Sequence, residues 1–144
     1  MSIFHLLYRS EASHELAPAQ LVYLLQQARA FNHAHSVTGI LLHAPGHFLQ
    51  VLEGGRTEVE ALYARIRRDE RHRQVLTLTQ GQTSRRVFPA WSMGFLAASA
   101  SEFERLVGHV SPVRVLPGAG QPLALGPGLL ALLQEFAEAR IVQF

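Results

Sequence analysis

The sequence predicts an α+β fold with elements in the order βαββαβ, extended by a fifth strand at one edge. Three observations carry this. Residues 3–8 are apolar on both alternating faces, as in a central strand covered on both sides. Two stretches with helical apolar spacing each follow a strand-like run. The turn Ala44-Pro45-Gly46 joins two further strand-like runs into a hairpin.

The first strand is Ile3-Phe4-His5-Leu6-Leu7-Tyr8. Pro18 suits the first turn of a helix, and Leu21, Leu24, Leu25, Ala28 and Phe31 continue it at helical spacing. Val37 to His43 and His47 to Glu53 form the hairpin, which Gly54-Gly55 ends. The second helix is expected from about Thr57 to Glu70, with Val59, Leu62, Tyr63 and Ile66 as its stripe. Gln74 to Gly81 reads as the fourth strand and Arg86 to Phe95 as the fifth, weakened by Pro89 and so placed at an edge or bulge. This order is the split βαβ arrangement of ferredoxin-like folds, with both crossover helices on one sheet face.

The other face needs cover, which residues 99–144 are expected to give as a helical extension of the domain at 1–98. Ser101 to Val110 reads as a short helix opening on a Ser101/Glu104 capping box. Four Pro and four Gly between Ser111 and Gly128 argue against regular structure there. Leu129, Leu132, Leu133 and Phe136 mark a final amphipathic helix, the candidate relay to a partner.

Composition narrows the function. The chain has 144 residues, 48% of them hydrophobic, enough for one packed domain and too few for an attached enzyme or DNA-binding domain. There is no cysteine, which excludes a disulfide scaffold, a Cys-ligated metal and a thiol nucleophile, and fits a reducing cytoplasm. No basic leader and no apolar run of membrane-spanning length is present, so a cytoplasmic location without membrane contact is expected. Every one of the 13 basic residues is Arg, and Asp69 is the single aspartate. A net charge of +2 gives no general attraction for nucleic acid. The run Arg65, Arg67, Arg68, Arg71 and Arg73, with Glu58, Glu60 and Glu70 nearby, reads as a solvated helix face. The eight His are scattered, and no metal site is expected.

Polar residues in apolar settings locate the chemistry. Gln50 shares a strand face with Phe48 and Leu52, and Tyr8 shares one with Phe4 and Leu6. Parallel central strands are expected to bring the two together, and an amide can bridge a phenol to a third polar group. On the second helix, Arg65, Asp69 and His72 fall within an arc of about 60°, with Arg65 able to pair with Asp69 at i,i+4. Asn32 ends the first helix. A cleft between the helices, with an apolar floor, an amide, an Arg fork and an Asp, suits a flat heteroaromatic ring bearing imide groups.

Several ordered motifs resemble the blue-light-sensing flavin domain, BLUF. They are Tyr8-Arg9-Ser10, Ala28-Arg29 with Asn32, and Val37-Thr38-Gly39-Ile40-Leu41-Leu42. They continue in Gly46-His47-Phe48-Leu49-Gln50-Val51-Leu52-Glu53-Gly54, Arg65-Ile66 with Asp69, Arg71 and His72, and Trp91-Ser92-Met93-Gly94-Phe95. The resemblance spans roughly residues 2 to 95, and it implies FAD as cofactor, with FMN also admitted. It casts Tyr8 as electron and proton donor to the photoexcited flavin, and Gln50 as the switching amide between that phenol and the ring. Asn32 then binds the C4 carbonyl and N3 edge, Arg65 and Asp69 the far edge of the isoalloxazine, and His72 the cofactor. Trp91 and Met93 match positions that exchange places near Gln50. Phe31 departs from the pattern, since many members carry Asn or His there, and one polar contact to the ring is lost.

The implied function is a stand-alone photoreceptor, non-enzymatic, that signals through contacts with its own copies or an unidentified downstream protein. Two other readings share the topology: a BLUF-like adaptor without flavin, and a small acylphosphatase-type hydrolase. The second lacks a Gly-rich phosphate loop after the first strand.

Overall fold

The computed structural model describes residues 2–89 and 92–108. Eight elements follow one another: β1 (Ile3–Ala12), α1 (Pro18–Ala34), β2 (Thr38–Ala44), β3 (His47–Gly54), α2 (Arg56–Arg68), β4 (His72–Thr83), β5 (Gly94–Ala97) and α3 (Ala100–Gly108). The strands form one sheet in the order β4-β1-β3-β2-β5. This is the ferredoxin-like α+β arrangement with an added edge strand.

The central strands run antiparallel, which corrects the parallel arrangement expected from the sequence. Each crossover helix skips one strand, so β3 lies between β1 and β2 and opposes both. Tyr8 still faces Gln50, because the two are register partners in the β1–β3 ladder. β5 pairs with β2 in parallel. Against β4, the β1 register shifts twice, between Leu7 and Tyr8 and between Arg9 and Glu11. Such shifts place an extra residue on one strand and bend it.

The β2–β3 hairpin turns on Pro45-Gly46. Proline presets the first turn position, and Gly46 takes the positive φ of 77° that a side chain disfavours. Pro18 opens α1, and the Gln20 Oε1 accepts the Ala17 amide at 2.8 Å. α2 stops at Arg68, two residues short of expectation. The Asp69 backbone is extended, and its carboxylate accepts the Arg71 amide at 2.9 Å, a local bond that competes with helix continuation.

β5 is shorter and later than the 86–95 strand expected. The Val87 and Phe88 amides are bonded to the Glu53 carboxylate instead of a neighbouring strand, and Pro89 has no amide to give. The first C-terminal helix begins at Ala100, with the capping box on Ser99 and Glu102 and not on Ser101 and Glu104.

Two apolar layers flank the sheet. Phe4, Leu6, Tyr8, Phe48 and Leu52 pack beneath Leu24 and Leu25 of α1 and Val59, Leu62 and Tyr63 of α2. On the opposite face, Leu7, Ile40, Leu42, Leu49 and Val51 pack against Phe103 of α3. Phe103 is fully buried, stacked on the His47 ring at 5.0 Å and lying under the Arg9 guanidinium. α3 thus supplies part of the cover expected there. The irregular segment at 111–128 and the helix expected at 129–136 lie outside the described residues, as does Trp91.

Candidate functional site

A cavity of about 440 Å³ opens between α1 and α2 above the sheet. It is within the size range of small-molecule sites. Tyr8, Asn32, Gln50, Arg65, Asp69 and His72 all line it, so the residues singled out by sequence converge on one space. Leu24, Ala28, Leu41, Leu62 and Ile66 supply apolar walls.

At the floor, strand pairing sets the geometry. The Tyr8 phenol donates to Gln50 Oε1, and Gln50 Nε2 donates to the Met93 thioether at 3.3 Å. All three side chains are buried. Burial first, then Tyr63 and Asp69, push the Tyr8 phenol well above its ordinary value, so it keeps its proton. The Tyr63 ring lies 5.3 Å from that of Tyr8, and its hydroxyl bonds Thr77 Oγ1 at 2.6 Å.

Asn32 is wholly buried near the end of α1. Its Nδ2 donates to the Ser92 carbonyl at 2.7 Å, while its Oδ1 has no partner among the described residues. A buried acceptor left open costs free energy unless a donor arrives.

The charged edge differs from expectation. Asp69 pairs with Arg71, not Arg65, with the Arg71 guanidinium 2.6 Å from its carboxylate. The early end of α2 breaks the i,i+4 relation on which the other pairing depended. Arg71 holds the Asp69 carboxyl below the usual range and also donates to Gln27 on α1. Arg65 instead lies over the Phe31 ring, 4.7 Å from its centroid, and His35 stacks on Phe31 at 4.0 Å. The departure at position 31 therefore provides an aromatic seat for Arg65.

His72 begins β4 and is not on the helix. It still reaches the cavity, with Nδ1 2.9 Å from Ser10 Oγ and the ring beside Phe48. Burial lowers it to about 4, Asp69 opposing, so the imidazole is neutral at physiological pH. Beyond the sequence-derived set, Gln27 lines the cavity and Ser10 joins the site through its bond to His72. Ser10 had a signal, a polar residue at period two from Tyr8 on an apolar face.

A flat ring with an imide N–H and adjacent carbonyls fits this donor set. The open Asn32 Oδ1 can accept the N–H, and the apolar walls can enclose the ring faces. Residues 3–94 match the family described as BLUF, sensors of blue-light using FAD. The chain belongs to the BLUF family. Like other BLUF proteins, it is a flavin-binding blue-light sensor.

Relatives of two kinds accompany that match. A photoactivated adenylate cyclase subunit beta of Euglena gracilis is 38% identical over 89 residues, 61% of this chain and 10% of that protein. The chain thus spans about a tenth of the length of the curated relatives it matches. A solved structure of the photo-activated state of BlsA is 26% identical with a TM-score of 0.73, covering 100% of both chains. The dark-state structure of the BLUF protein BlrB is 29% identical with a TM-score of 0.66, covering 96% of each. Among the described residues, no helix is long and apolar enough to cross a membrane.

Proposed function

We propose that this BLUF protein is a non-enzymatic photoreceptor that reports light by reversing the Gln50 carboxamide between Tyr8 and Met93. The observation that carries this reading is the unbroken chain from the Tyr8 hydroxyl through Gln50 to the Met93 sulfur. When bound, FAD supplies a ring that absorbs blue light and becomes a strong oxidant; FMN has the same ring. Asn32 holds the imide edge through Oδ1, Arg65 and Asp69 meet the far edge, and His72 contributes a neutral imidazole.

The protein's own part is a proton movement and an amide rotation. The Tyr8 hydroxyl holds its proton on Gln50 Oε1 in this arrangement. Under illumination the proton passes from Tyr8 to Gln50 and returns after the carboxamide has turned. Its NH2 then no longer faces Met93, and the thioether loses a weak donor. Met93 adjoins β5, the edge strand paired with β2. The change reaches α3 and residues beyond it through that edge, altering contacts with a second copy or a downstream protein.

An illuminated-minus-dark absorption spectrum of the purified protein tests this. Yellow protein whose flavin band shifts reversibly to the red is expected. Colourless protein, or a band that bleaches or does not move, would overturn it.

A further inference from the structure

Between β4 and β5 the chain is gripped at two points by different elements, at residues 86–88 and at 92–93. At the first, both oxygens of the buried Glu53 carboxylate accept main-chain amides, from Val87 at 2.7 Å and Phe88 at 2.8 Å. Arg86 reaches back to the Ser36 carbonyl, the Thr38 hydroxyl and the Glu53 carbonyl at 2.7–3.0 Å. At the second, two side chains three residues apart on α1 hold consecutive carbonyls. Asn32 Nδ2 donates to Ser92 at 2.7 Å, and Arg29 Nε donates to Met93 at 3.0 Å.

These grips differ in what else they touch. Glu53 and Gln50 are three residues apart on β3 and so project to opposite sheet faces. Asn32 lines the cavity, whereas Arg29 does not. Arg29 is part-buried and charged, and it holds the main chain of the very residue whose sulfur accepts from Gln50. A charge-assisted bond at that carbonyl is about twice as strong as the neutral ones beside it.

We infer that Arg29 is a positioning residue for the light response: its bond to the Met93 carbonyl latches the thioether against Gln50, and the lit arrangement forms only as that latch gives way. This rests on the photoreceptor reading. The bond stabilises the arrangement described here relative to any in which Met93 has left, so its loss prolongs the lit state. Because Arg29 lies outside the cavity wall, its effect falls on the rate of return and not on flavin affinity.

The experiment compares Arg29→Ala and Arg29→Lys, each with and without Met93→Ala. Dark recovery of the spectral shift should slow about tenfold in Arg29→Ala and return toward wild type in Arg29→Lys. Flavin affinity should stay within about twofold. In the Met93→Ala background, Arg29→Ala should change recovery little, since the latched thioether is already gone. Equal effects in both backgrounds, or no effect in folded protein, would overturn the inference. Amide hydrogen exchange in the dark is read in parallel, with faster exchange at Gly94 and Phe95 expected in Arg29→Ala. Unchanged exchange there overturns the latch even if no light response exists, whereas a missing wild-type spectral shift overturns only the photoreceptor reading. Arg29→Gln, which keeps an N–H donor without charge, serves if the alanine variant does not fold.

Discussion

The Tyr8 phenol donates to the carboxamide oxygen of Gln50, its own register partner across two central strands. The bond is set by the sheet and needs no loop to hold it. Tyr8→Phe removes the donor while keeping the ring in the core. The protein should remain folded and yellow, with stability lowered by about 1–3 kcal/mol for the buried oxygen left open. Its light-induced red shift should vanish. A difference spectrum checks this, and a persistent shift would remove Tyr8 from the mechanism.

Asn32→Ala deletes the open acceptor and the grip on Ser92 together. Flavin affinity should weaken roughly tenfold, the worth of one buried hydrogen bond. Titration of apoprotein with FAD measures it. Affinity equal to wild type would mean that the ring edge is held elsewhere.

Burial keeps the His72 imidazole near 4 in the fold, against an ordinary value of 6.5. Between those values the unfolded chain takes up a proton that the folded chain refuses. Stability from this group is therefore full above about pH 6.5 and is lost as pH falls toward 4. The amount at stake is about 3 kcal/mol. His5, lowered by burial as well, adds a slope of the same sign. Urea unfolding at several pH values should show a shallower acid loss in His72→Gln than in wild type, with the His5 part retained.

A Cβ at Gly39 would collide with the Val51 carbonyl of the neighbouring strand. Gly39→Ala must push β2 off β3, at a cost of about 4 kcal/mol or more. Loss of soluble expression, or a steep drop in melting temperature, is the expected outcome.

Phe103 is the buried anchor of α3 on the second sheet face. Phe103→Ala should destabilise by about 3–5 kcal/mol and leave flavin binding intact, because the cavity lies on the other face. Denaturant unfolding followed beside flavin absorbance separates the two effects.

Much of this was legible in the primary structure, for identifiable reasons. Alternation on β1 and β3 placed Tyr8 and Gln50 on apolar faces, and a polar residue there must find a partner. The periodicity of α1 carried Asn32 to the same cleft. Helix termination was harder to see, because it turned on one local bond: the Asp69 carboxylate taking the Arg71 amide. That bond moved the acid away from Arg65 and put His72 on a strand. The parallel pairing expected for β1 and β3 failed because pattern alone does not order strands. β5 was misplaced because the buried Glu53 carboxylate captured two amides that the apolar run had assigned to a ladder.

The two slips of β4 along β1 have an arithmetical consequence for the cavity wall. Partner numbers sum to 86 at Ile3–Thr83, to 85 at Tyr8–Thr77 and to 84 at Ala12–His72. One slip alone would exchange odd for even and set Arg73, not His72, opposite Ala12. Two of them restore parity, so at this end of β4 the neutral His72 imidazole and not the Arg73 guanidinium borders the cavity. Substitutions along this outer strand should accordingly be better tolerated than a one-residue deletion, which would put a further guanidinium where the wall now holds an uncharged ring.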